Sequence, residues 1–523
     1  MSLLKNVGTI GSLTMVSRVA GMAREMIFSR VLGANDVTDA WFQAFIIPNV
    51  FRRLFAEGAF SAAFVPMFSK RLHGDGGIEE ARSFSADVLS VLLPVLIALA
   101  AVFEMAMPGI IWLLAEKPVD AENFPLAVDF ARIMFPYIVL VSLVTLFTGM
   151  LNSVSRFAPG ASFPIILNLV LITALLVGER WMATGASLEQ VTYGIAWAVT
   201  VAGVMQLIWL YIWVRVEGFE VKLRLPRLTP EVKRLCIIAL PAAIGGGAYQ
   251  INTLVQLYFL NQLDTGAVSY MNYADRLNQL PLGIIGIALS TAILPTLSKF
   301  VGGDNKEGAD RIQTDAIELA MLLTLPAAVA LAICAAPFVT MIFQGGRFEM
   351  ADAAITGEVL AMLVLGLPAY VLVKVLVPNF YARADTKTPV YAAFLSLAIF
   401  IALNIAFLDE LGVRGVALAS VIGAWLNTAF LYGVLVHRGH YKAPPALFLR
   451  LFRQLIAAAA MGAALWYARD LLTGFYASGL FERLFALAVL VVGAVIVYFA
   501  VAFAIGAIDR TRIAKLTKKK AHE

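Results

Sequence analysis

Long apolar stretches, separated by short polar or Gly/Pro-rich segments, follow one another along almost the whole chain. An α-helix needs about 20 residues to cross a bilayer, and stretches of that length can be placed fourteen times. Prolines fall inside several of these stretches, which predicts kinked and tilted helices. The predicted spans cover approximately residues 7–30, 38–69, 84–114, 125–152, 161–178, 191–215, 232–261, 267–298, 314–343, 353–381, 389–408, 415–436, 448–469 and 482–508.

The composition indicates the same class of protein. The 523 residues are 60% hydrophobic and only 14% charged, against about 25% charged in soluble domains, and the mean hydropathy is +0.83. Lys and Arg number 40 against 35 Asp and Glu, an excess that in a soluble protein would suggest a nucleic-acid partner. Here the basic residues lie mainly in the loops between predicted spans, which a membrane protein explains without a nucleic-acid partner. We therefore predict an all-α polytopic membrane protein that does not bind nucleic acid.

The basic residues concentrate in alternate short loops, which is the positive-inside pattern. If the N-terminus is cytoplasmic, the basic loops all face the cytoplasm, and both termini are predicted to lie there. The outer loops are too short to form a separate domain, which argues against soluble catalysis outside the membrane. The inner loops and tail hold Lys70, Arg71, Arg82, Arg215, Lys222, Arg224, Arg227, Lys233, Arg234, Lys299, Lys306, Arg311, Arg383, Lys387, Arg438, Lys442, Arg450, Arg453, Arg510, Arg512, Lys515 and residues 518–520.

Neither the cysteines nor the histidines form a recognisable metal or disulfide site. Cys236 and Cys334 stand alone in apolar runs, and the four histidines fall in predicted cytoplasmic loops or the tail. The sequence also lacks a phosphate-binding loop for ATP, so no cofactor is predicted. Energy would have to come from substrate gradients, ions or the membrane potential, which is worth about 2.3 kcal/mol per charge per 100 mV.

Short segments recur in the same order in the two halves of the chain. Each half holds six predicted spans, and six is even, so the two copies would share one orientation in the membrane. This predicts two parallel six-helix lobes with the site between them, the arrangement of a rocking transporter. The matched segments are 64–70 with 293–299, 107–114 with 336–343, Pro159 with Pro389, and 194–203 with 415–424. The predicted domains are an N-lobe at 1–220, a C-lobe at 221–438, and two further spans with a basic tail at 439–523.

The first span carries charge along one face. At about 100° per residue, Ser17, Arg18 and Arg24 fall with other small or polar residues in a sector of about 120°, and the remainder is apolar. An arginine at a helix centre costs roughly 2.5 to 3.5 kcal/mol on insertion scales, so several of them need water, partners or a ligand. A helix lying flat at the membrane surface, with its arginines reaching to water, is the alternative interpretation.

Other predicted spans also carry ionisable residues at membrane depth. In facing lobes, the arginines of the first two spans would approach a cationic face of the eighth span and a lysine of the tenth. The cavity would then be cationic. The residues concerned are Asp39, Asn49, Arg52, Arg53 and Glu57 in the second span, Ser269, Asp275 and Arg276 in the eighth, and Lys374 in the tenth.

Several guanidinium groups in a partly dehydrated cavity favour an anion with several oxygens, because each planar fork donates two hydrogen bonds to phosphate. We predict that phosphate or diphosphate binds to Arg18, Arg24, Arg52, Arg276 and Lys374. The acids Asp39, Glu57 and Asp275 are predicted to hold the arginines when the cavity is empty.

Two residues of the second span have structural interpretations of at least equal weight. Arg53 and Glu57 stand four residues apart on one helix face and are interpreted first as a structural pair. Asn49 follows Pro48, so its amide either binds substrate or caps backbone groups that the proline leaves unpaired.

Four runs of this sequence closely resemble the MurJ (MviN) family of lipid II flippases of bacterial peptidoglycan synthesis. The runs are MVSRVAGMARE (15–25), TDAWFQAFIIPNVFRRLFAEGAFSAAFVP (38–66), YADRLNQLPLGIIGIALSTAILP (273–295) and VKVLVPNFYARADTKTPV (373–390). The resemblance covers essentially the whole chain. It implies fourteen helices in two lobes plus a terminal pair, within the multidrug/oligosaccharidyl-lipid/polysaccharide exporter superfamily.

The resemblance also implies roles for individual residues. In that family the positions matching Arg18, Arg24, Arg52, Arg276 and Asp39 are important for flipping, and the lysine matching Lys374 belongs to the central cavity. The last two helices form a hydrophobic groove for the lipid tail. Some relatives have a sodium site with acids in the seventh and eleventh spans, and residues 235–260 and 391–407 contain none. A sodium site of that kind is therefore not predicted.

The predicted function is alternating-access transport of lipid II from the cytoplasmic to the periplasmic leaflet of the bacterial inner membrane, without catalysis. Lipid II and membrane lipids are the implied partners, and cell-wall synthesis proteins are further candidates. The alternatives are export of another anionic lipid-linked glycan or of drugs, and an intramembrane glycosyltransferase. A cationic-drug exporter would be expected to carry acids in its cavity, and a glycosyltransferase would need catalytic carboxylates near a sizeable outer loop.

Overall fold

The chain folds into helices, as predicted. The structure, a computed structural model, describes residues 3–56, 59–115, 123–220, 222–476 and 479–507, and within these ranges the only β-type pairing is an isolated bridge between Gly345 and Phe348. Nine helical segments among these residues are long and apolar enough to cross a membrane. The predicted class, an all-α polytopic membrane protein, is confirmed.

Nineteen α-helices make up the described part of the chain. The first nine are α1 (Leu3–Leu32), α2 (Asp36–Ala56), α3 (Ala59–Leu72), α4 (Gly77–Ala115), α5 (Asn123–Met134), α6 (Tyr137–Ser153), α7 (Phe157–Ala183), α8 (Leu188–Val216) and α9 (Pro230–Asn261). The others are α10 (Ala267–Pro281), α11 (Ile287–Gly302), α12 (Lys306–Ile333), α13 (Ala335–Phe343), α14 (Met350–Leu363), α15 (Leu367–Tyr381), α16 (Lys387–His437), α17 (Pro445–Leu471), α18 (Thr473–Tyr476) and α19 (Leu480–Ala504).

The breaks between these helices have local causes. Pro136 separates α5 from α6, since proline supplies no backbone N–H to continue the helical ladder. A π-helical turn over Leu282–Gly286 follows Pro281 and joins α10 to α11. Within α16, Gly412 has φ +55° and ψ −138°, a conformation that glycine adopts without the steric cost of a Cβ. This kink falls inside the outer loop predicted between the eleventh and twelfth spans.

The first of two compact units comprises residues up to Ser269 together with 345–348. In it α7 packs against α1 and α8, and α2 packs against α5. The core of this unit includes Phe64, Phe68 and Phe84, with stacked ring centroids 5.4 Å apart for Phe64 and Phe68. α9 packs against α3 and α4 and so belongs to this unit by its contacts, although it begins the second sequence repeat.

The second compact unit comprises residues 270–344 and those from Glu349 onward. α11, α12 and α15 surround a core that includes Leu297, Val375 and Leu431, all fully buried. α17 lies against α12 and α19, and small residues such as Ala457 permit the close approach of these helices. An ion pair between Arg450 and Glu318, 2.7 Å long, also joins α17 to α12.

Candidate functional site

The first span is a helix of the bundle and packs along α7. The Asn168 side chain of α7 donates a hydrogen bond to the Ser17 carbonyl at 3.1 Å, and its amide lies beside Gly21. Part of the predicted polar face therefore serves helix packing. Val16 and Val19, on the predicted apolar side, are more than half exposed, as expected of a helix that faces lipid.

Arg24 is paired with its chain neighbour. Its guanidinium donates to the Glu25 carboxylate, and the two side chains are only 11% and 6% exposed. The carboxylate and the guanidinium each offset part of the cost of burying the other's charge. Arg18, six residues earlier on the same helix, is partly buried.

Asp39 holds the start of α10. Its carboxylate accepts hydrogen bonds from the Gly266 N–H at 2.7 Å, the Ser269 N–H at 2.8 Å and the Ser269 hydroxyl at 2.5 Å. The prediction that Asp39 holds an arginine is thus corrected: its described partners are at a helix N-terminus. Unpaired N–H groups and the positive end of the helix dipole compensate a carboxylate as a guanidinium would.

The same segment makes a second contact with α2. Asp36 accepts a hydrogen bond from the Thr265 hydroxyl at 2.7 Å, and it also accepts one from the Asn123 amide of α5. The short connection between α9 and α10 is therefore attached to the start of α2 by two carboxylates.

Substitution Asp39→Ala is expected to lower the thermal stability of the purified protein. Ser269 is fully buried, so its hydroxyl and N–H would lose their acceptor, at a cost of about 1 to 3 kcal/mol. Asp39→Asn keeps one acceptor oxygen and should lose less. Apparent melting temperatures in detergent measure this, with Asp264→Ala, an exposed acid of the same connection, as the control. Equal melting of the Asp39→Ala and Asp264→Ala proteins would contradict the capping role.

Asn49 and Arg52 contact each other on α2. The Asn49 amide donates to the Phe45 carbonyl at 3.0 Å, and its oxygen accepts from Nε of Arg52 at 3.2 Å. Asn49 thereby engages the backbone beside Pro48 and orients an arginine at the same time. Arg53 is partly buried. Glu57, its predicted partner, lies outside the described residues.

The candidate residues of the second unit lie around the π-helical turn. Asp275 accepts a hydrogen bond from the Gln279 amide on α10, where Arg276 is partly buried. Lys374 of α15 runs beside Gly286 so closely that a Cβ there would lie 2.9 Å from its Cδ atom. The turn therefore makes room for the lysine. π-turns inside α-helices are frequent at functional sites.

The sequence pattern missed three features of the site: Glu25 as the partner of Arg24, Asn168 as a contact of α1, and the π-turn. A buried amide in the otherwise apolar α7 is a signal that could have identified Asn168, which is 7% exposed. The glycines and proline of PLGIIG (281–286) could have indicated an irregular turn.

Comparison with known proteins gives consistent matches. The sequence profile of the family described as "Lipid II flippase MurJ" matches residues 28–487. A relative in Rhizobium meliloti (strain 1021), named "Probable lipid II flippase MurJ", is 41% identical over 525 aligned residues, covering 100% of this chain and 97% of the relative.

Solved structures show the same fold. One titled "Lipid II flippase MurJ, inward closed conformation" has a TM-score of 0.77 at 24% identity and covers 95% of this chain and 98% of its own. A multidrug resistance MATE family transporter of the MOP superfamily, in an inward-facing conformation, has a TM-score of 0.69 at 16% identity, with coverage of 83% and 98%.

Proposed function

This chain belongs to the MurJ family of lipid II flippases, and we propose that it carries lipid II from the cytoplasmic to the periplasmic leaflet by alternating access. It is a transporter and not a catalyst. The observation that carries the substrate assignment is the pair of features on α1, a guanidinium 11% exposed and the carboxylate that stabilises it. A cation kept at membrane depth needs a function.

The proposed architecture is fourteen spans in two parallel six-helix lobes plus a terminal pair. The helices support this count if broken helices are joined into single spans. The spans are α1, α2 with α3, α4, α5 with α6, α7, α8, α9, α10 with α11, α12 with α13, α14 with α15, the two halves of α16, α17 and α19. The lobes are residues 1–220 and 221–438, as the sequence repeat indicates.

Charged and polar side chains lower the mean hydropathy of two of these spans, the one formed by α1 and the one that includes α10. α1 holds Arg18, Arg24, Glu25 and Arg30, and α10 holds Asp275 with several amides. Three of the residues that lower the hydropathy of these helices, Arg18, Arg24 and Arg276, are proposed to bind the substrate. A hydrophilic span is stable only when neighbouring helices or an aqueous cavity shield it from lipid.

Arg18, Arg24, Arg52, Arg276 and Lys374 are proposed to bind the diphosphate of lipid II. Arg24 and Arg52 each have a described partner that fixes the side chain, Glu25 and Asn49 respectively. Fixed guanidinium groups bind a diphosphate with less loss of side-chain entropy than mobile ones. Asp39, Ser269, Asp275, Ser17 and Arg53 are proposed to support them.

The terminal pair is proposed to hold the polyprenyl tail. α17 and α19 pack within the second unit by one face and leave large apolar side chains on the other. Burial of these side chains against a hydrocarbon chain is favoured over contact with water in a groove. The exposed residues include Phe452, Leu455, Trp466, Phe485, Val492 and Ile496.

The proposed orientation has both termini in the cytoplasm of a bacterial cell, with the chain in the inner membrane. The positive-inside pattern supports it, because basic residues concentrate in the loops that follow even-numbered spans. Cell-wall synthesis proteins that supply or consume lipid II are proposed as partners.

Transport by the purified protein tests this function. Proteoliposomes would contain fluorescent lipid II, and an impermeant reductant would measure the fraction that reaches the outer leaflet, with and without a membrane potential. We expect movement faster than in empty liposomes. No acceleration under either condition would contradict the proposal.

A second arm separates lipid II from other anionic lipid-linked glycans. The arginines recognise a diphosphate, which such lipids share. Competition by an undecaprenyl-diphosphate-linked sugar without a peptide measures how much selectivity the rest of the head group supplies. If the protein transported that lipid but not lipid II, the chain would be assigned to the alternative substrate.

A further inference from the structure

A cationic cavity of about 740 Å³ opens in the second unit, and none of the residues proposed to bind lipid II lines it. It lies between the end of α15, the start of α16 and the segment that follows α16. Arg383, Lys387, Arg438 and His440 line it, with Asp385 as its one lining acid. The volume lies within the range of about 300 to 1,000 Å³ that is typical of ligand pockets.

The one acid that lines this pocket, Asp385, already accepts several hydrogen bonds. The Asp385 carboxylate accepts from the backbone N–H groups of Lys387 and Thr388 at 3.0 Å, from the Thr388 hydroxyl at 2.6 Å and from Arg438 at 2.5 Å. Burial raises the pKa of Asp385, but these hydrogen bonds outweigh burial and hold that pKa well below its usual range. Asp385 therefore stays ionised and caps α16.

The remaining cations of the pocket exceed the acids. Arg383 donates to the Asn379 carbonyl at 3.1 Å and to the Asn379 side chain, which are neutral acceptors. Lys306 at the start of α12 adds to the positive field at His440, and Asp310 is the one further acid that acts on Arg383. Four cations thus stand against two carboxylates, and one of these carboxylates is paired with Arg438.

His440 also lines this pocket. Within the described part of the chain, its Nδ1 atom is buried and has no hydrogen-bond partner. Burial, together with Arg383 and Arg438, lowers the pKa of His440, so the imidazole is neutral at pH 7. A neutral imidazole can donate one hydrogen bond to an anion from a nitrogen turned toward it.

An apolar wall completes the pocket. Tyr391, Phe430 and Val434 line it, and Tyr391 is 62% exposed. Phe394, one turn further along α16, is 49% exposed. The charged part of the pocket therefore continues into an apolar surface of a predicted membrane span, as in sites that recognise the head groups of anionic lipids.

We propose that this pocket binds a phosphate group, carried by an anionic lipid of the cytoplasmic leaflet or by a soluble phosphate ester. Arginine forks and a lysine charge, with the one lining carboxylate already hydrogen-bonded, match the geometry and charge of phosphate. The placement of this pocket at the cytoplasmic leaflet rests on the membrane orientation proposed above, whereas the binding of phosphate by the pocket does not. The site is distinct from Arg24 and Arg276.

Native mass spectrometry of the purified full-length protein tests this with four probes: phosphatidylglycerol, phosphatidylethanolamine, glycerol phosphate and inorganic phosphate. Lys387→Gln and the double variant Lys387→Gln/Arg438→Gln would be compared with the wild type. Lys387→Gln is expected to bind phosphatidylglycerol about tenfold more weakly and the double variant about a hundredfold more weakly, since each charged hydrogen bond that is lost costs about a factor of ten. Phosphatidylethanolamine should bind weakly to all of the proteins.

Matched controls remove the same charges elsewhere. Lys442→Gln and Lys442→Gln/Arg215→Gln remove exposed cations from predicted cytoplasmic segments outside the pocket. Because Lys387 holds Asp385 only through its backbone N–H, Lys387→Gln keeps the α16 cap and remains informative if the double variant is unstable.

The probes also identify the source of the phosphate. Pocket-dependent binding of phosphatidylglycerol supports a lipid ligand, and pocket-dependent binding of glycerol phosphate or inorganic phosphate supports a soluble one. Equal binding of every probe by the pocket and control variants would overturn the proposal. Lipid II transport is a separate readout, so its failure in wild-type protein would leave the binding result standing.

Discussion

Charge reversal at Arg24 or at Arg276 is expected to abolish lipid II transport while the protein still folds and inserts. Each guanidinium can donate two hydrogen bonds to the diphosphate, and charged hydrogen bonds are worth about 1.5 to 3 kcal/mol each, so transport should fall by about a hundredfold or more. At position 24 the new carboxylate would also lie beside Glu25 and repel it. The proteoliposome assay with fluorescent lipid II measures the loss.

Two comparisons separate this effect from misfolding. Arg24→Lys and Arg276→Lys keep the charge without the planar fork and should transport at an intermediate rate. Arg215→Glu reverses an exposed charge at the end of α8, outside the proposed site, and should transport like the wild type. If the Arg24→Glu and Arg276→Glu variants both transported lipid II at the wild-type rate, these arginines would have no role in the mechanism.

Oxidation of a cysteine pair at positions 36 and 265 is expected to stop transport, and reduction should restore it. The Asp36 and Thr265 side chains are 2.7 Å apart, so short thiols there come within reach of a disulfide. Asp36 belongs to the proposed N-lobe and Thr265 to the proposed C-lobe. Alternating access requires the lobes to separate at this end, and a covalent link prevents that separation.

The variant Asp36→Cys/Asn123→Cys is a matched control. It shares one substitution, and its second position belongs to the same proposed lobe, where Asn123 contacts Asp36. Both pairs would be placed in a background with Cys236→Ser and Cys334→Ala, and thiol counting would verify each link. Undiminished transport by the fully oxidised 36–265 pair would show that this end of the protein does not open.

The membrane fold could be predicted because each span must satisfy its own backbone hydrogen bonds, which makes a long apolar run sufficient evidence for a helix. The break at Pro136 fits the kinks that are predicted where prolines fall inside the spans, and the kink at Gly412 also follows from local chemistry. The placement of α9 could not be read from the repeat. Sequence similarity reports a shared origin, whereas packing against α3 and α4 depends on side-chain shape.

The charged residues of the candidate site could be chosen from the sequence, but most of their hydrogen-bond and ion-pair partners could not. Burial costs alone single out Arg24, but its pairing with Glu25 depends on rotamers that a helical wheel does not contain. From the sequence, an ion pair of Asp39 with an arginine and a capping role of Asp39 at a helix N-terminus are equally reasonable. Only the fold brings Gly266 and Ser269 to it. Likewise, the room that Gly286 makes for Lys374 depends on a π-turn and not on periodicity.

A structure of the protein with bound lipid II tests the central claim most directly. The quantity to be measured is the distance from the diphosphate oxygens to the guanidinium nitrogens of Arg24 and Arg276. We predict about 2.7 to 2.9 Å for at least one nitrogen of each arginine, the length of a charge-assisted hydrogen bond. A diphosphate bound elsewhere, with both arginines directed away from it, would contradict the proposed mechanism.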